Sequence, residues 1–224
     1  WSSDVCSSDL GPAAQYPGIS SGGDLQGKEG EFHFIRLEYR DMFYAQRGFG
    51  FGSRNGMGRG WWLVDWPDAD QHITTAIQRL TRIPMGEPRH IPIDDRIYDY
   101  PWVYATQTGW WSLSDQETAR LREYLQRGGF LMTDDFWTAD EWQTFAQTMA
   151  KVLPGRDILD ISPEEPIMHV LYDIKERTFI PGSRHLRYGS GGAVQVYQPP
   201  GTTPTWRMMY DDRDRAIVAV NYQM

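Results

Sequence analysis

The sequence predicts one three-layer α/β domain, with a mostly parallel central sheet covered by helices on both faces. Three observations carry this expectation. From Glu31 onward, short apolar runs of strand length alternate with stretches of helical periodicity, the pattern of a sheet covered on both sides. Two of the helical stretches open on capping boxes, Ser114-x-x-Glu117 and Thr138-x-x-Glu141, in which each side chain satisfies a backbone donor of the other's turn. The length of 224 residues, 40% hydrophobic and 23% charged, suits one domain with a sizeable core.

Taken in order, the elements begin late. Trp1–Leu10 (WSSDVCSSDL) has a near-repeat of Ser-Ser-Asp and no apolar periodicity, and we read it as a non-native artefact of adapter origin. Residues 11–30 are rich in Gly, Ser and Pro and are expected to be a flexible lead-in. The single α/β domain is then residues 31–224. Phe32, Phe34, Ile35 and Leu37 predict a first strand over 32–37. A glycine-rich segment, 48–60, leads to Trp61-Trp62-Leu63-Val64, an apolar run expected to be a strand. Pro67 stands at a helix start, Asp68 and Asp70 fall in the positively polarised first turn, and Ile73, Ala76, Ile77 and Leu80 recur at helical spacing, predicting a helix over 67–82 with that face buried.

The middle of the chain has the clearest pattern. Trp102–Ala105 reads as a buried strand of a 102–106 element, followed by a helix over 114–127 with Leu121, Tyr124 and Leu125 as its apolar stripe. Gly128-Gly129 ends that helix, where a left-handed residue is favoured. Phe130–Thr133 predicts a strand over 130–134 that delivers Asp134-Asp135 to its carboxyl end, and Trp142, Phe145 and Met149 line a helix over 138–151. A further strand is expected at 157–161, in the same parallel sheet. Residues 205–210 and 215–222 flank Asp211-Asp212-Arg213-Asp214 as a hairpin.

Composition excludes several functions. The formal charge of −8 with no basic run argues against a nucleic-acid partner. No apolar stretch approaches the roughly 20 residues of a membrane span. The single cysteine, Cys6, lies in the adapter-like segment, so the body offers no thiol for disulfides, metal thiolates or nucleophilic catalysis.

The blocks FIRLEYRD, WWLVDWPDADQHITTAIQRLT, YPWVYATQTGWWSLSDQETARLREYLQRGGFLMTDDFW and DRAIVAVNYQM, in this order, resemble the bacterial domain-of-unknown-function 4159 family. That resemblance implies a class I glutamine-amidotransferase-like, flavodoxin-like fold in envelope-associated proteins, often with an export signal in the full-length protein. It implies no activity. It also implies a chain that continues past Asn221–Met224, so the domain is expected to be a fragment truncated at its C-terminus. In working glutaminases of this fold a cysteine occupies the sharp turn between a central strand and its helix. Here that turn reads Met132-Thr133-Asp134-Asp135-Phe136-Trp137, which excludes a cysteine glutaminase.

The candidate site is therefore the crevice outside the carboxyl ends of the strands, where open α/β sheets bind ligands. Asp65, Asp134, Asp135 and Trp137 are the expected ligand-binding residues. Crowded carboxylates there should raise at least one pKa. The plainer alternative makes Asp134 and Asp135 helix-start residues, and likewise Asp65, Asp68 and Asp70, because acids are favoured in first turns. His169, in an apolar run, is either a base or a packing residue. His33, His72, His90 and His185 lack metal-ligand spacing, so no metal or other cofactor is expected. Trp61-Trp62 and Trp110-Trp111 stand beside loops and offer stacking surfaces, and the glycine-rich 48–60 segment matches no phosphate-binding motif and reads as a surface loop.

Two function classes follow. One is a non-enzymatic module, periplasmic or otherwise exported though a cytoplasmic setting stays open, that binds a small molecule, glycan or envelope protein in the crevice. The other is a hydrolase using Asp134 or Asp135 with His169, assisted by a divalent cation.

Overall fold

A computed structural model describes residues 30–42, 60–176, 186–188, 194–196 and 205–222. The artefact-like segment, nearly all of the lead-in and of the glycine-rich 48–60 segment, and His185 lie outside the described residues. The strands are β1 (Ile35–Glu38), β2 (Arg89–Pro92), β3 (Trp102–Thr106), β4 (Phe130–Phe136), β5 (Leu159–Asp160), β6 (Leu186–Tyr188), β7 (Val194–Val196), β8 (Thr205–Tyr210) and β9 (Ala216–Tyr222). The helices are α1 (Asp68–Leu80), α2 (Asp115–Gln126) and α3 (Ala139–Val152). Seven strands form one sheet in the order β2-β1-β3-β4-β9-β8-β5, and β6 and β7 pair separately.

The sheet is mostly parallel, as predicted: β2, β1, β3, β4 and β9 run together. The chain leaves β1 for β2 on one side and then returns to lay β3 on the other side of β1. Right-handed crossovers consequently put α1 on one face and α2 on the opposite face, where α2 packs against α3. The main core lies between that helix pair and the sheet: Ile35, Leu37, Val103 and Leu131 meet Leu121, Leu125, Phe145 and Met149. Both capping boxes are present, Ser114 with Glu117 and Thr138 with Glu141, so each helix starts where its local hydrogen bonds dictate.

Four expectations are corrected. Trp61–Val64 is not a strand. Trp61–Leu63 forms a single-turn 3-10 helix, because the carbonyls of Trp62 and Val64 are claimed by Arg36 Nη1 at 2.8 and 2.9 Å rather than by a neighbouring strand. The 157–161 segment does join the sheet, but only Leu159–Asp160 pairs, at the edge and antiparallel to β8. Its place beside the β8–β9 hairpin, which forms as predicted, sets that direction. Helix α1 does not bury its apolar stripe. Ile73 and Leu80 are 41% and 55% exposed, and the one buried residue of the helix is Asp70. A buried ion pair with Arg36 anchors α1 in place of an apolar face. Finally, the first strand is shorter than expected, Phe32 making only an isolated bridge to Met85.

Candidate functional site

The order in which strands are added to the sheet reverses at β1, with β2 laid on one side of it and β3 on the other, so the loops leaving the carboxyl ends of β1 and β3 diverge. This is the switch point at which open α/β sheets offer a crevice. Tyr39, just past β1, spans it: its buried hydroxyl donates to the carbonyls of Thr106 at 2.7 Å and Gln107 at 3.0 Å. Burial holds the Tyr39 phenol well above its usual pKa, so it stays a donor.

On the α1 face, register pairs Arg36 with Tyr104 and Thr106 with Asp134, which sets Arg36, Tyr104 and Asp134 side by side. Arg36 Nε reaches both carboxylate oxygens of Asp70 at 3.0 and 3.1 Å, with Nη2 also on Asp70. Its guanidinium lies 5.1 Å from the Tyr104 ring centroid. Tyr104 donates its hydroxyl to Asp134 Oδ1 at 2.6 Å. Burial pushes the Asp134 carboxyl up to about 7, opposed by the Tyr104 hydrogen bond, reinforced by the Asp135 charge and opposed again by Arg36. The crowding of carboxylates is thus a smaller cause than loss of water.

Asp135 points elsewhere. It sits at a break in register between β4 and β9, with φ of 56°, the left-handed region that a non-glycine residue enters at a cost. Gln107 Nε2 donates to its Oδ2 at 2.6 Å and Trp137 Nε1 to its Oδ1 at 2.7 Å. Gln107 has φ of 54°, with its amide on the Asp134 carbonyl at 3.0 Å and its own carbonyl accepting from Trp110. Neither aspartate starts a helix. Both belong to β4, and Thr138 is the residue that caps α3, so the helix-start alternative fails for this pair because the strand continues past them. It holds for Asp68 and Asp70, which do lie in the first turn of α1.

The other expected residues divide. Asp65 is exposed with φ of 58° and follows Val64, whose carbonyl binds Arg36. It does not end a strand, since Trp61–Leu63 is a 3-10 helix. Trp137 joins the site through Asp135 and is half-buried. His169 does not join. Its Nδ1 lies 2.6 Å from Asp173 and its Nε2 2.8 Å from the Pro163 carbonyl, beside Met168, which packs with Ile161 and Met208 near the β5 and β8 edge. Both ring nitrogens are thus engaged away from Asp134 and Asp135. Of the tryptophan pairs, Trp61 and Trp110 stack on each other at 5.4 Å, whereas Trp111 is core. Among the described residues no group of three or more His, Cys, Asp or Glu could hold a metal ion, and no helix is long and apolar enough to cross a membrane.

Sequence reasoning missed Gln107, Tyr104 and Arg36. Position gave a usable signal for Gln107, the first residue beyond a parallel strand. A cavity of about 370 Å³ lies at the opposite, amino-end edge, lined by Tyr98, Tyr100, Tyr124, Arg127 and Gly129 among others. Three of its polar side chains are already engaged: Arg127 and Tyr98 both hold Glu123, and Tyr124 donates to the Phe130 carbonyl. The carboxyl-end crevice is therefore the stronger candidate.

No curated protein matches the chain. The family model described as Domain of unknown function (DUF4159) matches residues 49–224, leaving β1 and Arg36 before the matched range. That match covers more than half of the chain, and the chain belongs to this family.

Proposed function

We propose that the domain is a non-enzymatic binding module whose ligand, a small molecule, glycan or envelope protein, enters the carboxyl-end crevice between β1, β3 and β4. The observation that carries this reading is the held conformation of Asp135. A left-handed aspartate, fixed by a left-handed glutamine and an indole N–H, is backbone strain concentrated at one place. Such strain persists where the surroundings over-determine it, and it clusters at ligand clamps. Asp65, Asp134 and Trp137 complete the proposed lining. Placement outside the cytoplasm, in the periplasm of a bacterial cell, belongs to the same proposal and rests on the family resemblance.

The hydrolase alternative needed His169 beside Asp134 or Asp135, and His169 is engaged with Asp173 and Pro163 instead. The test is thermal shift against a mixed panel of metabolites, glycans and envelope extracts, on the wild-type protein and on Asp135→Asn. A ligand that raises the wild-type melting temperature and fails with the variant supports the module. Stabilisation by every hit equally in both proteins refutes it.

A further inference from the structure

Helix α1 carries an apolar stripe that the domain itself does not cover. Ala69, Ile73, Ala76 and Leu80 follow one another at intervals of four, three and four residues, the spacing of the seam between two paired helices. Ile73 and Leu80 are 41% and 55% exposed, Ala69 is exposed and Ala76 half-buried. Asp70, which ties α1 to the sheet through Arg36, lies about 90° round the helix from the middle of this stripe, so the ion pair holds the helix while leaving the stripe in solvent. The charges beside the stripe run head to tail. Asp68 stands in the first turn and Arg79 in the last, both are exposed, and helical geometry puts them within about 20° of one another round the axis. Neither makes an ion pair among the described residues.

We propose that α1 is a homodimer interface. Two copies of the chain lay their Ala69–Leu80 stripes together, antiparallel about a two-fold axis, with Asp68 of each copy opposite Arg79 of the partner subunit. This goes beyond the binding-module reading and does not rest on it.

Charge selects a second copy as the occupant. A surface that meets its own copy must be complementary to itself under a two-fold rotation. That rotation reverses α1, so the acidic first turn of one copy falls beside the basic last turn of the other, and it does so at both ends. The point midway between Asp68 and Arg79 lies beside Ile73, which therefore meets its own copy near the axis. The two 13-residue helices then overlap along their whole length of about 20 Å, with their dipoles opposed. A parallel pair would instead set Asp68 against Asp68. Ala69 and Ala76 are small enough to let the backbones approach toward the near end of the usual helix separation. Four side chains a copy make a small contact, so the dimer is weak and reversible.

Sedimentation velocity of the whole chain between about 1 and about 100 µM tests this. The wild-type protein is expected to pass from monomer to dimer across that range. Ile73→Glu sets two carboxylates together at the axis and should weaken the dimer by about tenfold or more. Asp68→Lys should weaken it several-fold by placing like charges together at both ends. Asp68→Lys/Arg79→Glu restores the attraction with the signs exchanged, and its dimer constant should return to within about twofold of the wild-type value. Melting curves check that each variant folds. If Ile73→Glu does not, Leu80→Glu, at a residue 55% exposed, takes its place with the same expectation. A wild-type protein that stays monomeric throughout leaves the stripe to some other occupant and overturns the proposal. Association that is unchanged in the folded Ile73 or Leu80 variant places the contact elsewhere and overturns it equally. An Asp68→Lys dimer as tight as wild type, or a double variant no tighter than Asp68→Lys alone, overturns the antiparallel pairing.

Discussion

Tyr104 and Asp134 are joined across β3 and β4 by a 2.6 Å hydrogen bond from phenol to carboxylate, and burial holds that carboxyl at about 7. The folded-state pKa lies above the ordinary value of 3.8, so between these values the folded protein holds a proton that the unfolded chain has released. Stability from this group is therefore present at low pH and is lost as pH rises from about 4 to about 7. Urea unfolding across this range should show wild-type stability falling relative to Asp134→Asn, with the two curves parallel above pH 8. Parallel curves throughout would mean Asp134 titrates normally.

Arg36 and Asp70 predict a different signature. Both side chains are almost wholly buried, so Asp70→Ala leaves a guanidinium without its counter-ion and should cost about 3–5 kcal/mol. The double variant Arg36→Met/Asp70→Leu should recover most of that loss, since apolar replacement of a whole buried pair is often neutral. Denaturant midpoints of the single and double variants decide it. Equal losses in both would show that the Trp62 and Val64 carbonyls, not the ion pair, make Arg36 indispensable.

Gly109, in the loop after β3, lies close against α3. A Cβ placed there would come within 2.3 Å of Glu141 Cβ and 2.8 Å of its Cα, which no rotamer change relieves. Gly109→Ala should cost about 1–3 kcal/mol through overpacking. Gly155→Ala is the control, since a Cβ there meets nothing within 4 Å and only its φ of +75° resists, a penalty of about 1–2 kcal/mol. Calorimetric melting separates the two if Gly109→Ala also disturbs binding in the adjacent crevice and Gly155→Ala does not.

Thr138 caps α3 through the Glu141 amide at 3.2 Å, and its removal tests whether cap and site are separable. Thr138→Ala should destabilise the fold by about 1 kcal/mol and leave ligand affinity unchanged. Asp135→Asn should abolish binding whatever its effect on melting. Loss of binding in Thr138→Ala would show that the Asp135 bend depends on the helix start.

The sequence by itself determined the elements whose causes are local. Ser114 with Glu117 and Thr138 with Glu141 start their helices because the bonds involved close within one turn. The runs at 102–106 and 130–134 declare buried strands because both faces need apolar cover, and a parallel strand that delivers Asp134-Asp135 to its carboxyl end follows from them. What only the tertiary structure decided rests on partners far apart in the chain. Trp61–Leu63 has the composition of a strand, yet Arg36, some 26 residues earlier, takes its carbonyls. Ile73 and Leu80 have the spacing of a buried stripe, yet Asp70 is the residue that goes inside, because a buried guanidinium requires a carboxylate. Gln107 carries no motif at all. Its place in the site exists only because β3 lies against β4, which brings its amide to Asp135 across a separation of 28 residues, and a contact of that kind leaves no periodicity for the sequence to reveal.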